Sequence, residues 1–267
     1  MTRPEACYDT VDPHAHLRIS SAGVPPDRAV GAVVLLHGRG RTAEDILALA
    51  VPLACPDFAY LAPQAAARTW YPDRFLAPLE DNEPALSSAL RGIDRLVAGL
   101  GAAGIGPERV VFVGFSQGAC LAAEYVARRP RRYGGVAVLI GGLFGPEGSR
   151  LDYEGFMDGT PIFLCTSDPD PFVPPTRVRE TADVFRDMGA QVTLEIQEGT
   201  KHVITEEGRA GARDLVEALA ASPAHGRAFA SSSDARAPSR PRAPVKDRPR
   251  QIHPTVPPAK TVATSRR

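Results

Sequence analysis

Cysteine and long apolar runs are both scarce in this chain of 267 residues, and each shortage removes a class of protein. The four cysteines, Cys7, Cys55, Cys120 and Cys165, lie far apart, so no disulfide framework and no metal-ligand spacing is written into the chain. Cys120 and Cys165 fall inside apolar runs, where a thiol behaves as a small buried hydrophobe, and all four are expected to be reduced and structural. No apolar run nears the roughly 20 residues of a membrane span. The opening MTRPEACYDTVDPHAH has no apolar core of a signal peptide. The expectation is a cytoplasmic protein with no metal and no organic cofactor.

The chain also has no net charge, with 31 basic and 31 acidic residues, but the two signs are unevenly spread. Residues 225–267 hold eight arginines and two lysines against Asp234 and Asp247, which leaves an equal acidic excess in the residues before them. That stretch is rich in Ser, Ala, Pro and Arg and poor in large apolar residues, so it cannot bury enough surface to offset the entropy of ordering. It is expected to be a disordered basic tail following a single domain over 1–224. Only Phe229 stands among its arginines, too little aromatic content for base stacking. It reads as a solvated extension with no identified partner, and nucleic-acid binding is not expected of the domain.

What is present is a regular alternation of strand and helix signals. Ala29–Leu36 is a continuous apolar run of the kind buried on both faces of a parallel sheet. Thr42 and Asp45 form a capping-box pattern before a stripe of Ile46, Leu47, Leu49, Ala50 and Leu53. Strands are expected at Phe58–Leu61, up to Phe115, and at Gly135–Ile140, Pro161–Thr166 and Gln191–Gln197. Helices are expected at about 84–103, after Ser116, and at about Thr176–Met188 and Glu207–Ala220. A long loop, 62 to about 84, carries the single tryptophan in RTWYPDRF. Such alternation predicts an α/β fold, a doubly wound, mostly parallel sheet with helices on both faces. Only twenty residues, 141–160, separate two of the later strands, too few for a large cap domain.

The most informative stretch is RVVFVGFSQGACLAA, residues 109–123, in which Gly114-Phe115-Ser116-Gln117-Gly118 stands between a strand and a helix. This G-x-S-x-G turn is the nucleophile elbow of serine hydrolases: the glycines let flanking backbone pack closely, and the turn lifts the serine hydroxyl off the sheet. The N–H groups of the helix that begins there favour a negative charge forming nearby. Partners for Ser116 belong in loops after other strands, at the carboxyl edge of the sheet. One such loop holds Asp168 and Asp170. Another, Glu198-Gly199-Thr200-Lys201-His202, holds the single histidine that follows these acids and precedes the tail. The chain order Ser, Asp, His is that of the α/β-hydrolases. Spacing by itself leaves Asp168 and Asp170 as alternatives.

With LLHGRG at Leu35–Gly40, GFSQG at Gly114–Gly118, DPFVP at Asp170–Pro174, the Gly199-x-x-His202 ending and a Trp loop at Trp70–Pro72, the chain resembles the phospholipase/carboxylesterase family of small α/β-hydrolases, related to the acyl-protein thioesterases. The resemblance covers about Val30 to Ala220. It implies an α/β-hydrolase fold and a triad of Ser116, Asp170 and His202. It also implies an oxyanion hole from the backbone N–H groups of Arg39 and Gln117. The implied activity is hydrolysis of carboxylic esters, or thioesters, through an acyl-enzyme. The tail and the arginines of the first loop depart from the family pattern and bear on the substrate.

Trp70, Tyr71, Phe75 and Leu76 in the long loop, with Phe172 in the acid loop, are the candidate wall of an acyl groove. The alternative is that Trp70 and Phe75 pin the loop to the core. Arg39, Arg41 and Arg74 would favour an anionic group near the site. Short or medium acyl esters fit best, and lysophospholipids and acyl thiols stay open. Two other classes of reading are a ligand-binding relative that keeps the triad as a receptor pocket, and an esterase recruited to an acidic surface by its tail. Homodimer formation is also left open.

Overall fold

A computed structural model describes residues 12–53 and 55–222, and the proposed tail lies outside the described residues. Seven strands and five α-helices follow one another as β1 (Arg18–Gly23), β2 (Gly31–Leu36), α1 (Ala43–Leu47), β3 (Phe58–Gln64), α2 (Ala85–Ala102), β4 (Val110–Phe115), α3 (Gln117–Arg128), β5 (Gly135–Leu139), β6 (Pro161–Asp168), α4 (Pro175–Asp187), β7 (Gln191–Glu198) and α5 (Glu206–Ala221). They form one sheet in the order β1-β3-β2-β4-β5-β6-β7, parallel except for β1 against β3. β2 and β5 are buried at every residue, because helices cover both faces of the sheet.

The two faces have separate cores. On one, Leu86, Leu90 and Ile93 of α2 join Leu121 and Val126 of α3 and Phe185 of α4. On the other, Ile46 of α1 packs with Val216 and Leu219 of α5 over Val33, Val111 and Phe163. Burial of α2 at Leu86, Ala89, Leu90, Ile93 and Leu100 follows the helical period seen in the sequence. The box at Thr42 forms as expected: its hydroxyl accepts from the Asp45 N–H while the Asp45 carboxylate accepts from the Thr42 N–H.

Three local features differ from the sequence reading. β1 carries only weak apolar character, RISSAG, yet it pairs in register with β3 from Arg18↔Gln64 to Gly23↔Ala59. Its outer edge faces solvent, so it has no apolar period to announce it. The helix after Thr42 ends at Leu47 and tightens into a 3-10 turn over Ala48–Ala50, since Pro52 has no N–H to continue the ladder. The expected loop from 62 is shorter, because β3 continues to Gln64 and further 3-10 turns form at Ala66–Arg68 and Leu79–Asn82.

Among the described residues, no cap domain interrupts the sheet. Residues 141–160 contain neither helix nor strand and lie against the body. Buried Glu124 on α3 accepts from the Phe144 N–H at 3.2 Å and the Tyr153 hydroxyl at 2.8 Å. Buried Arg177 on α4 donates to the carbonyls of Leu143, Gly145 and Pro146. No helix of the described residues is long and apolar enough to cross a membrane.

Candidate active site

The chain leaves β2 toward β3 on one side of the sheet and passes to β4 on the other, so the carboxyl ends of β2 and β4 flank a crevice. His37-Gly38-Arg39 emerges from the first and Ser116 from the second. Ser116 has φ 54° and ψ −118°, a conformation that costs an L-residue about 1–3 kcal/mol. Packing enforces it. A Cβ on Gly114 would strike the carbonyl of Gly118, and one on Gly118 would strike the carbonyl of Leu36. Both glycines are required by close backbone approach, which lets the start of α3 rest on the end of β2.

Ser116 Oγ lies 2.8 Å from His202 Nε2, and His202 Nδ1 lies 2.9 Å from Asp170 Oδ2. The Asp170 side chain is 0% exposed and both of its oxygens are engaged. Oδ1 accepts from the N–H groups of Phe172 and Val173 at 2.9 and 2.8 Å, so the carboxylate is held in one rotation with Oδ2 toward the imidazole. Asp168, the alternative in the sequence, is half exposed and stands 3.9 Å from Arg179. The imidazole of His202 is flanked by the rings of Phe115 and Phe172, with centroids at 5.4 and 5.0 Å. These contacts limit its tilt.

Among the described residues, no hydrogen bond uses the backbone N–H of Arg39 or Gln117. Both residues line the cleft that holds Ser116. The first N–H groups of a helix have no partner within it, and Ser116 makes no side-chain cap to α3. The turn therefore leaves unpaired N–H donors beside the Ser116 hydroxyl.

The cleft around Ser116 has a volume of about 340 Å³, and Tyr71, Phe75, Phe115 and Phe172 supply its apolar wall. Phe172, 59% exposed, stands at its mouth. Cys120 also faces it, but burial pushes that thiol up to about 12, which keeps it protonated at neutral pH. A second cleft of about 330 Å³ also borders the imidazole, walled by Ile46, Val203 and Ile204. Gly38, Arg41, Phe115 and His202 border both clefts.

Trp70 does not line the groove. It is 0% exposed, its indole Nε1–H donates to the His37 carbonyl at 2.9 Å, and its ring packs 4.9 Å from that of His37. Leu76 likewise packs against the core. The indole needs a buried acceptor, and the end of β2 provides one. Trp70 thereby anchors the loop that carries Tyr71 and Phe75 into the cleft wall.

Two further parts of this anchor were not singled out in the sequence. The Gln117 side chain accepts from the Trp70 N–H at 2.9 Å and donates to the Tyr71 carbonyl at 2.7 Å, so the residue after Ser116 clamps the loop with its amide. Buried His14 and His37 bind the same loop. His14 Nδ1 accepts from the Ala66 N–H, which leaves Nε2–H to donate to the Trp70 carbonyl. His37 Nε2 accepts from the Ala65 N–H, which leaves Nδ1–H to donate to the Gly38 carbonyl. His37 sits directly after the apolar run of β2, the one signal of its place. His14 has no such signal.

Each of these imidazoles is neutral in the fold, and burial holds both below the ordinary histidine value of 6.5. The unfolded chain then takes up more protons than the folded one below pH 6.5. Their contribution to stability is complete above that pH and is lost as pH falls through the depressed folded values. The melting temperature should stay level from pH 8 to about 6.5 and fall from there to pH 5, as the unfolding free energy drops by up to about 1.4 kcal/mol per pH unit for each histidine. A melting series that rises on acidification across this window contradicts the assignment.

The phospholipase/carboxylesterase family model matches residues 15–219. Among curated proteins, the acyl-protein thioesterase 1 of Saccharomyces cerevisiae is 39% identical over 71 residues, which are 27% of this chain and 31% of that protein. The acyl-protein thioesterase 1 of Cryptococcus neoformans is 28% identical over 141 residues, covering 46% and 58%. The chain thus spans about a third to somewhat over half the length of these relatives. A crystal structure of a phospholipase/carboxylesterase from Dyadobacter fermentans superposes with a TM-score of 0.72 at 42% identity, over 76% of this chain and 97% of that one. With the family match running from before β1 to within α5, the chain belongs to the phospholipase/carboxylesterase family of α/β-hydrolases.

Proposed function

We propose that this protein is a serine hydrolase of carboxylic esters, with thioesters as the second class, acting through an acyl-enzyme on Ser116. The observation that carries the reading is the continuous relay from Ser116 Oγ to His202 Nε2 and from His202 Nδ1 to Asp170 Oδ2, at 2.8 and 2.9 Å. In this reading His202 removes the hydroxyl proton as Oγ attacks the carbonyl carbon. The carbonyl oxygen becomes an oxyanion held by the N–H groups of Arg39 and Gln117, each such donor being worth about 2.7–4 kcal/mol in the transition state. Asp170 stabilises the imidazolium. As the tetrahedral intermediate collapses, Nε2 returns the proton to the departing alcohol or thiol, and a water activated by the same nitrogen then releases the acid.

The direction of proton return assigns the two clefts. Ser116 and both oxyanion donors border the aromatic cleft, which takes the acyl chain. The cleft beyond His202 takes the leaving group, next to the nitrogen that protonates it. An acyl cleft of about 340 Å³, with no cap over it, suits short and medium chains.

The test is a panel of 4-nitrophenyl esters and matching thioesters of increasing acyl length, run with fluorophosphonate labelling and mapping of the modified residue. Turnover with a maximum at short or medium acyl length and label on Ser116 are expected. A protein that binds these esters without turning them over, and that resists the label, is a receptor rather than an enzyme.

A further inference from the structure

The cleft assigned to the acyl chain is apolar in its walls but cationic at its opening. Among the described residues, Arg39, Arg41 and Arg74 border it against a single acidic residue, Asp73. The Arg39 guanidinium donates to the carbonyl of Pro72 at 2.7 Å and to that of Asp73, groups that fix its position without neutralising it. Asp73 Oδ1 accepts from the Arg74 backbone N–H, so this carboxylate is turned to the main chain. The guanidinium groups of Arg41 and Arg74 are exposed and have neither a hydrogen bond nor an ion pair among the described residues. The neighbouring cleft is different: among the described residues Arg41 is its one arginine and Asp45 its one carboxylate, and the Asp45 carboxyl is lowered chiefly by its bond from the Thr42 backbone and to a lesser degree by Arg41.

A positive excess at the mouth of a low-dielectric cleft focuses its field inward and raises the local concentration of anions. A guanidinium without a protein partner has its donor fork free for a carboxylate or phosphate. Such a charge can be met from within the cleft only by a group carried on the far end of the acyl chain. A purely hydrocarbon chain would leave it to water. Resting on the hydrolase reading above, we propose that this site selects esters whose acyl chain ends in an anionic oxygen group, a carboxylate in the first instance, with Arg74 and Arg41 as the recognising residues. Arg74 borders the acyl cleft and not the leaving-group cleft, so it distinguishes an acyl-side charge from one on the alcohol.

The experiment measures binding apart from chemistry. Phenyl hemiglutarate, its neutral counterpart phenyl hexanoate, and 4-carboxyphenyl hexanoate, with the charge on the leaving group, are titrated into the Ser116→Ala variant by calorimetry. The hemiglutarate should bind about two- to fivefold tighter than the hexanoate, the upper part of the range for ion pairs at exposed arginines. The preference should shrink as ionic strength rises from 0.05 to 0.5 M. Arg74→Gln and Arg41→Gln, each added to that variant, should reduce it, and the double substitution should abolish it. Arg28→Gln, at an exposed arginine that borders neither cleft, should leave it unchanged.

Equal binding of the charged and neutral acyl chains overturns the proposal. So does a preference that survives the double substitution, and so does a stronger preference for the carboxyphenyl ester. Turnover of phenyl hexanoate by the unsubstituted protein is measured in parallel. Its presence or absence bears on the hydrolase reading, while the binding preference is read whichever way that falls.

Discussion

Replacing Ser116 with alanine should lower ester turnover by about 10⁶-fold, the size of effect seen when a triad nucleophile is removed and its general base has nothing left to activate. His202 would keep its bond to Asp170, but no Oγ would remain 2.8 Å from Nε2. The residual rate would come from the backbone donors and from substrate positioning. The fold should survive, because the positive φ at residue 116 is imposed by the packing of Gly114 and Gly118 and not by the hydroxyl, which makes no capping bond to α3. Burst kinetics, labelling stoichiometry and a thermal melt of the variant provide the check. Retention of more than a few per cent of the turnover, or stoichiometric labelling of another residue, would falsify the assignment of the nucleophile.

Asp170→Asn should lower kcat by about 10⁴-fold with little change in substrate binding, and the local hydrogen bonds explain why so conservative a change is so costly. Oδ1 of residue 170 accepts from two backbone N–H groups, those of Phe172 and Val173. An asparagine must keep its carbonyl oxygen there, since its amide nitrogen cannot accept. The NH₂ group is then forced into the place of Oδ2, facing His202 Nδ1, and presents a proton where the imidazole needs an acceptor. The ring responds by carrying its own proton on Nε2, toward Ser116, and can no longer act as the base. Asp168→Asn, at the exposed position beside Arg179, should change kcat little. If the two variants behave the other way round, the acid has been misassigned. A rise of the Asp170→Asn rate at high pH, where hydroxide can replace the missing base, would support the tautomer explanation.

The parts of the site legible in the sequence are those whose chemistry is local. Gly114 and Gly118 flank the serine because main chain passes within contact of each, and that requirement appears as a short pattern. The parallel strands announce themselves as apolar runs because both faces are covered, as in GAVVLL of β2. The carboxylate that bonds His202 was harder: Asp168 and Asp170 are two residues apart, and only their surroundings separate a half-exposed carboxylate from a fully buried one. Trp70 misled for a related reason. A lone tryptophan beside a candidate site reads equally well as cleft wall or as anchor, and the acceptor that makes it an anchor, the His37 carbonyl, lies 33 residues earlier in the chain.

By itself, then, the sequence determined the alternation of strands and helices, the elbow at Ser116, the capping box at Thr42 and the chain order of serine, acid and histidine. Period, turn chemistry and motif spacing are properties of neighbouring residues, and they persist whatever the rest of the chain does. Tertiary structure decided the pairing of β1 with β3, the choice of Asp170 as the partner of His202, the burial of Trp70 between His14 and His37, and the division of the site into two clefts about one imidazole. Each of these depends on groups brought together from distant positions by the sheet order. Their energies arise from burial and from hydrogen bonds that exist only once the core has excluded water.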